Sequence, residues 1–122
     1  VPEATVIVDH VGNITDRKAL EESTGAMRAL GSLPNVYVKV SGYPTDDAPF
    51  VSDLLDLVQS SFRKERLMYA SNWPVIGTYA DFDDHLSILL DRFAGDDDFF
   101  INNAREAYHI GERKTYERQS RV

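Results

Sequence analysis

The chain has 122 residues, 43% of them hydrophobic and 27% charged, with 20 Asp and Glu against 13 Lys and Arg for a formal net charge of −7. That length is one small domain, the composition is globular rather than disordered or fibrous, and an acidic surface repels phosphate backbones, so nucleic acid is not an expected partner. Cysteine is absent, which removes disulfides, thiol catalysis and Cys-ligated zinc, and no apolar run nears the roughly 18 residues of a membrane span.

The opening residues VPEATVIVDH lack the basic start and long apolar stretch of a signal peptide, so a cytoplasmic location is the expectation. Val6 to Val8 is a β-branched run that feeds Asp9-His10-Val11-Gly12, and it predicts a buried strand entering a loop. Thr15 is placed to cap a helix from Asp16 to about Leu30, with Leu20, Met27 and Leu30 on one face. Gly31 is the expected C-terminal stop, and Pro34 prevents resumption.

Val36 to Ser41 is the second strand, closed by Gly42. Asp46, Asp47 and Pro49 open a second helix, in which Phe50, Leu54, Leu57, Val58 and Phe62 recur at helical spacing. Leu67 to Ala70 is a third strand, left through Ser71-Asn72-Trp73-Pro74. A third helix runs from about Ala80 to Phe93 with Phe82, Leu86, Leu89, Leu90 and Phe93 inward, and a short last helix covers about Asn102 to Tyr108. Asp81, Asp83 and Asp84 read as charges favoured at a helix start rather than as a metal site. Residues 111–122 form a polar tail carrying Arg113, Lys114, Arg118 and Arg121.

The order β-α-β-α-β-α-α implies an α/β fold with a parallel sheet and right-handed crossovers, its apolar strands buried on both faces. Three strands leave two open edges and an uncovered face, which invite association, so a homo-oligomer, dimer or higher, is expected. A closed eight-stranded α/β barrel typically takes about 250 residues, twice this chain.

In parallel α/β folds ligands bind beyond the carboxyl ends of the strands. Here those ends carry Asp9 and His10, then Lys39 and Ser41, then Ser71 and Asn72 followed by Trp73. Lys39 and Ser41 share a strand face, and inward-pointing faces would bring His10, Lys39 and Asn72 to one pocket. His10 is a candidate general base or ligand, or else a structural histidine; Lys39 binds a carboxylate or extends to solvent; Asn72 hydrogen-bonds a substrate or forms a turn. Trp73 walls the pocket or fills the core, and Asp9 caps the loop. His85 and His109 fall on helices, as surface or packing residues.

Four segments together resemble the C-terminal half of the amidohydrolase-2 family, from about residue 3 to 110. They are Val8 to Gly12, Pro34 to Gly42, Arg66 to Val75, and Asn103-Ala104-Arg105 with Tyr108. The resemblance implies half of a TIM-like (β/α)8 barrel, residues 1–110 in one unit and 111–122 as a tail, and descent from hydrolases of sugar lactones. It implies that His10 matches a catalytic His. It also implies that Asn72 stands where the family's Gly-Ser-Asp-Trp-Pro segment carries the Asp acting on the attacking water. Lys39 matches a basic substrate-binding position, with Ser41 and Trp73 beside it. The family's His-x-His pair does not occur in this sequence, so a divalent-metal site would be incomplete and no cofactor is expected. The expectation is a lactonase-like half-barrel impaired in catalysis, taking a small carboxylate or lactone. The alternative is a non-catalytic, self-associating protein derived from a hydrolase.

Overall fold

The computed structural model describes residues 4–108; His109 and the 111–122 tail lie outside the described residues. Strands β1 (Val6–Val8), β2 (Val36–Val40) and β3 (Leu67–Tyr69) form one sheet in the order β1-β2-β3. Both pairings are parallel, with Val8 opposite Val38 and Val38 opposite Leu67. The helices are α1 (Arg17–Gly31), α2 (Ala48–Ser61), α3 (Phe82–Arg92) and the short α4 (Asn103–Ala107), which follows a π-helical turn over Asp98–Asn102.

The strand period decides where the core lies. Val36, Val38 and Val40 share one face and are buried with Leu20 and Met27 of α1, Leu54, Leu55 and Val58 of α2, and Leu89 of α3. The other face carries Tyr37 and Lys39, which are only half-buried. The expectation of strands buried on both faces holds at β3, where Leu67 and Met68 (the latter opposite Lys39) are each 1% exposed, and is corrected at β1 and β2, whose second face is only half-covered.

Local chemistry sets the helix boundaries. Asp16, not Thr15, caps α1, because its carboxylate reaches the Ala19 N–H at 2.8 Å. Asp47 caps α2 through the Phe50 N–H at 3.1 Å, and Asp81 caps α3 through the Asp84 N–H at 3.0 Å. The acidic cluster at residue 81 thus serves the helix start, which falls at Phe82, two residues later than the expected Ala80. Gly31 ends α1 for a different reason than a stop signal. A Cβ there would lie 1.8 Å from the Ser61 carbonyl oxygen, so only glycine lets the ends of α1 and α2 meet. Leu90 is 49% exposed, a correction to its inward placement: one residue past Leu89, it is turned about 100° off the buried stripe.

The amino-terminal end of the sheet is tied by two buried polar side chains. The Arg66 guanidinium donates to the carbonyls of Leu33, of Gly31 at 2.8 Å and of Val36 at 3.3 Å, joining the end of α1 to the start of β2. Asn103 Nδ2 donates to the carbonyls of Lys64 at 2.7 Å and Leu67 at 2.8 Å, which holds α4 against β3. These bonds add donors to carbonyls at a helix end and a sheet end, where the regular backbone ladder stops.

Candidate functional site at the strand ends

Beyond β1 the chain makes a left-handed turn, with φ of 52° at His10, 46° at Val11, 70° at Gly12 and 61° at Asn13. Val11 is fully buried and anchors the turn in the core. His10 is thereby carried over the end of β2, where its Nδ1 lies 2.9 Å from the buried Ser41 Oγ. Gly42 makes this approach possible. It sits at φ 80°, and a Cβ on it would come within 2.4 Å of the His10 Cβ. Ser41 engages Nδ1, which leaves Nε2 as the ring nitrogen for an outside partner.

The register continues past the strands. Val8 lies opposite Val38, so Asp9 falls beside Lys39, and Lys39 Nζ is 3.2 Å from Asp9 Oδ1. The same ammonium stands 5.3 Å from the centre of the Tyr108 ring. Tyr108, and after it Asp9, hold Lys39 above the usual lysine range, with partial burial opposing them. Lys39 is a fixed cation at neutral pH, more enclosed than the carboxylate it faces, with side-chain exposures of 28% and 64%.

Asn72 follows β3 in a left-handed conformation, φ 57°, which Asn tolerates better than most residues. Its Nδ2 donates to the Tyr79 hydroxyl at 2.9 Å. Tyr79 is brought there by the 3-10 turn Val75–Thr78. Trp73 does not fill the core. It is 69% exposed, with its indole edge-on to Phe82 at 5.8 Å, because the chain has already left the sheet when it reaches residue 73.

Each of the five candidate residues is thus at the carboxyl ends of the strands, but His10, Lys39 and Asn72 do not bond to one another. They form separate pairs: His10 with Ser41, Lys39 with Asp9, Asn72 with Tyr79. Asp9 acts as the partner of Lys39 rather than as a loop cap, and the parallel register was the signal for it. Tyr79 had no signal in the sequence, since only the turn after Pro74 brings it back. A groove of about 790 Å³ lined by Tyr37, Arg66, Asn103 and Glu106 lies by the opposite, amino-terminal ends of β2 and β3, away from these side chains.

Beneath the site, on the helix side, sits His85 of α3. It is fully buried between Tyr43, 5.1 Å away ring to ring, and Tyr69, 6.3 Å away. Both of its ring nitrogens, and the Tyr43 hydroxyl, lack a hydrogen-bond partner among the described residues. Burial pushes the imidazole down to about 4 and the Tyr43 phenol well above its usual value. His85 is therefore a neutral packing residue, not a surface one.

A parallel sheet flanked by helices, half-covered at β1 and β2, with polar side chains at its carboxyl ends, is the layout of part of a barrel-type α/β enzyme. The chain belongs to the amidohydrolase family, whose model matches residues 1–110. It is 31% identical over 105 residues to L-fucono-1,5-lactonase from Burkholderia multivorans, a match covering 73% of this chain and 35% of that protein. It superimposes with a TM-score of 0.76 and 44% identity on amidohydrolase 2 from Bifidobacterium longum subsp. infantis, over 89% of this chain and 41% of that one. An amidohydrolase from B. multivorans with bound zinc gives a TM-score of 0.72 at 26% identity, over 87% of this chain and 44% of its own. The chain therefore spans between about a third and under half of the length of these relatives.

The zinc in that relative sets a test for the residues present here. A catalytic zinc takes about three protein ligands. The strand ends supply one imidazole, His10, and one carboxylate, Asp9, which is paired with Lys39, together with an amide at residue 72, and no group of three His, Cys, Asp or Glu suited to an ion occurs among the described residues. This donor set does not by itself fit a divalent metal, and no step of the proposed chemistry passes through one.

Proposed function

We propose that the chain is a lactonase-like hydrolase element that binds a small carboxylated or sugar-like lactone at its strand ends and is impaired in activating water on its own. The observation that carries the reading is the amide of Asn72, held by Tyr79 where the family pattern places an aspartate. An amide cannot take a proton from water, and loss of a general base typically costs about 10² to 10⁴ in rate. The remaining groups suit binding. His10 Nε2, the ring nitrogen that Ser41 does not engage, would meet the substrate carbonyl or water, Lys39 is a point charge for an anionic group, and Asn72 offers a hydrogen bond.

The pairing at Asn72 also says how activity would return. In an Asn72→Asp variant the Tyr79 hydroxyl, now the donor, would bond to the carboxylate, so the side chain keeps its place. The carboxylate would take a proton from water as the water oxygen adds to the lactone carbonyl. The ring C–O bond would then break, and the leaving oxygen would take up a proton. Screening lactones with and without added divalent metal should show little turnover for the natural chain and a gain of about 10²-fold or more for Asn72→Asp. That gain should disappear in Asn72→Asp combined with His10→Ala. Full turnover by the natural chain, or a gain independent of His10, would overturn the reading.

The half-covered face of Tyr37 and Lys39 favours the second reading, a self-associating protein without catalysis. It is the better reading if Asn72→Asp gains nothing while the chain proves oligomeric.

A further inference from the structure

We propose that Ser41 is a positioning residue that fixes both the orientation and the proton of the His10 ring, so that neutral His10 carries its hydrogen on Nε2. The inference rests on His10 being the group that faces substrate, and it adds which form of the ring is presented. Ser41 is fully buried, and its hydroxyl lies 2.9 Å from His10 Nδ1. A buried hydroxyl hydrogen needs an acceptor, and leaving one unpaired is costly. No other side-chain partner of Ser41 occurs among the described residues, so the hydroxyl donates and Nδ1 accepts. A neutral imidazole with an accepting Nδ1 has its hydrogen on Nε2.

The backbone restricts the alternatives. The left-handed turn at His10 and the bare Cα of Gly42 set the ring against the end of β2 at close range. A ring turned away from Ser41 would leave the buried hydroxyl without a partner. Ser41 and Gly42 thus act together, one residue supplying the hydrogen and the next the space. The consequence is chemical: Nε2 presents a donor, suited to a carbonyl oxygen or to the oxyanion that forms from it, rather than a lone pair suited to abstracting a proton. This arrangement complements a site without a carboxylate at residue 72.

Nitrogen NMR of the whole chain labelled at histidine tests this without any turnover. The His10 signals are assigned by their loss in His10→Gln. The expected result, at a pH high enough that the ring is neutral, is one tautomer, hydrogen on Nε2 and Nδ1 shifted by an accepted hydrogen bond. Ser41→Ala should give the mixed forms and unbonded Nδ1 of a free histidine, and Ser41→Thr, which keeps the hydroxyl, should restore the natural signature. Hydrogen on Nδ1 in the natural chain, or signals that Ser41→Ala leaves unmoved, would overturn the proposal. Should Ser41→Ala not fold, the natural chain's own signals still decide between the two forms. The lactone screen can fail while these signals appear as stated, so the two readings fall separately.

Discussion

His85 makes the stability of this fold sensitive to mild acid. Its imidazole is fully buried against Tyr43 and Tyr69, and burial lowers it from 6.5 to about 4 in the folded chain. A histidine whose folded pKa is depressed binds protons more readily when unfolded. Its contribution is therefore intact above the unfolded value and is lost as pH falls from about 6.5 toward 4. Each tenfold difference in proton affinity between the two states is worth about 1.4 kcal/mol, so the full loss is about 3 kcal/mol, and about 2 kcal/mol is gone by pH 5. For a domain of this length that is a fall in Tm of about 8 °C at pH 5. Thermal unfolding followed by circular dichroism at pH 8, 6.5, 5.5 and 5 reads the slope directly. His85→Leu has similar bulk, no titrating group and no unpartnered ring nitrogen, so it should be at least as stable at pH 8 and should flatten the slope between pH 6.5 and 5. A natural chain with no slope in that window, or a His85→Leu variant with the same slope, would refute the reasoning.

Three further outcomes follow from the packing. Gly31→Ala would place its Cβ on the Ser61 carbonyl, and urea unfolding should show a loss of about 3 kcal/mol, the upper end for overpacking. Arg66→Ala removes the donor shared by the carbonyls of Gly31, Leu33 and Val36, and the same assay should show a loss of about 2 to 4 kcal/mol; a loss under about 1 kcal/mol would mean that water replaces the guanidinium freely. The half-buried face of β2 and the 43% exposure of Val6 on edge strand β1 call for a cover, so sedimentation at micromolar concentration should show at least a dimer, and a compact monomer would refute that expectation.

The elements that could be read from the sequence are those set by period and cap. The β-branched runs at Val6 and Val36 and the apolar run at Leu67 became the three strands, and the alternation with helices gave their parallel pairing. What could not be read depended on neighbours distant in the chain. Nothing in the local pattern distinguishes Gly31 as a stop from Gly31 as a contact, because the atom it must avoid belongs to Ser61. Arg66 sits in a charged run that suggests a solvated helix end, yet it is buried because three carbonyls converge on it. At the site, residue types at the strand ends pointed to His10, Lys39, Ser41 and Asn72. Their partners did not follow from type: Asp9 came from register, and Tyr79 from a turn whose course local propensity does not fix.

The turn after β1 concentrates left-handed backbone at the strand ends. Left-handed backbone costs about 1 to 2 kcal/mol for each residue that is not glycine, asparagine or aspartate, so His10 and Val11 together hold about 2 to 4 kcal/mol of strain. Complete burial of Val11, and of Ile14 at 1% exposure, offsets that cost, each contributing about 1.5 to 3 kcal/mol. What the left-handed path adds is the placement of His10 over Ser41, close enough that only glycine fits at residue 42. Strain of this kind persists where surrounding packing over-determines it, and it gathers at functional positions. Under the proposed function this strain serves one imidazole while position 72 carries an amide, so the half of the site that orients a carbonyl would be kept without the half that deprotonates water.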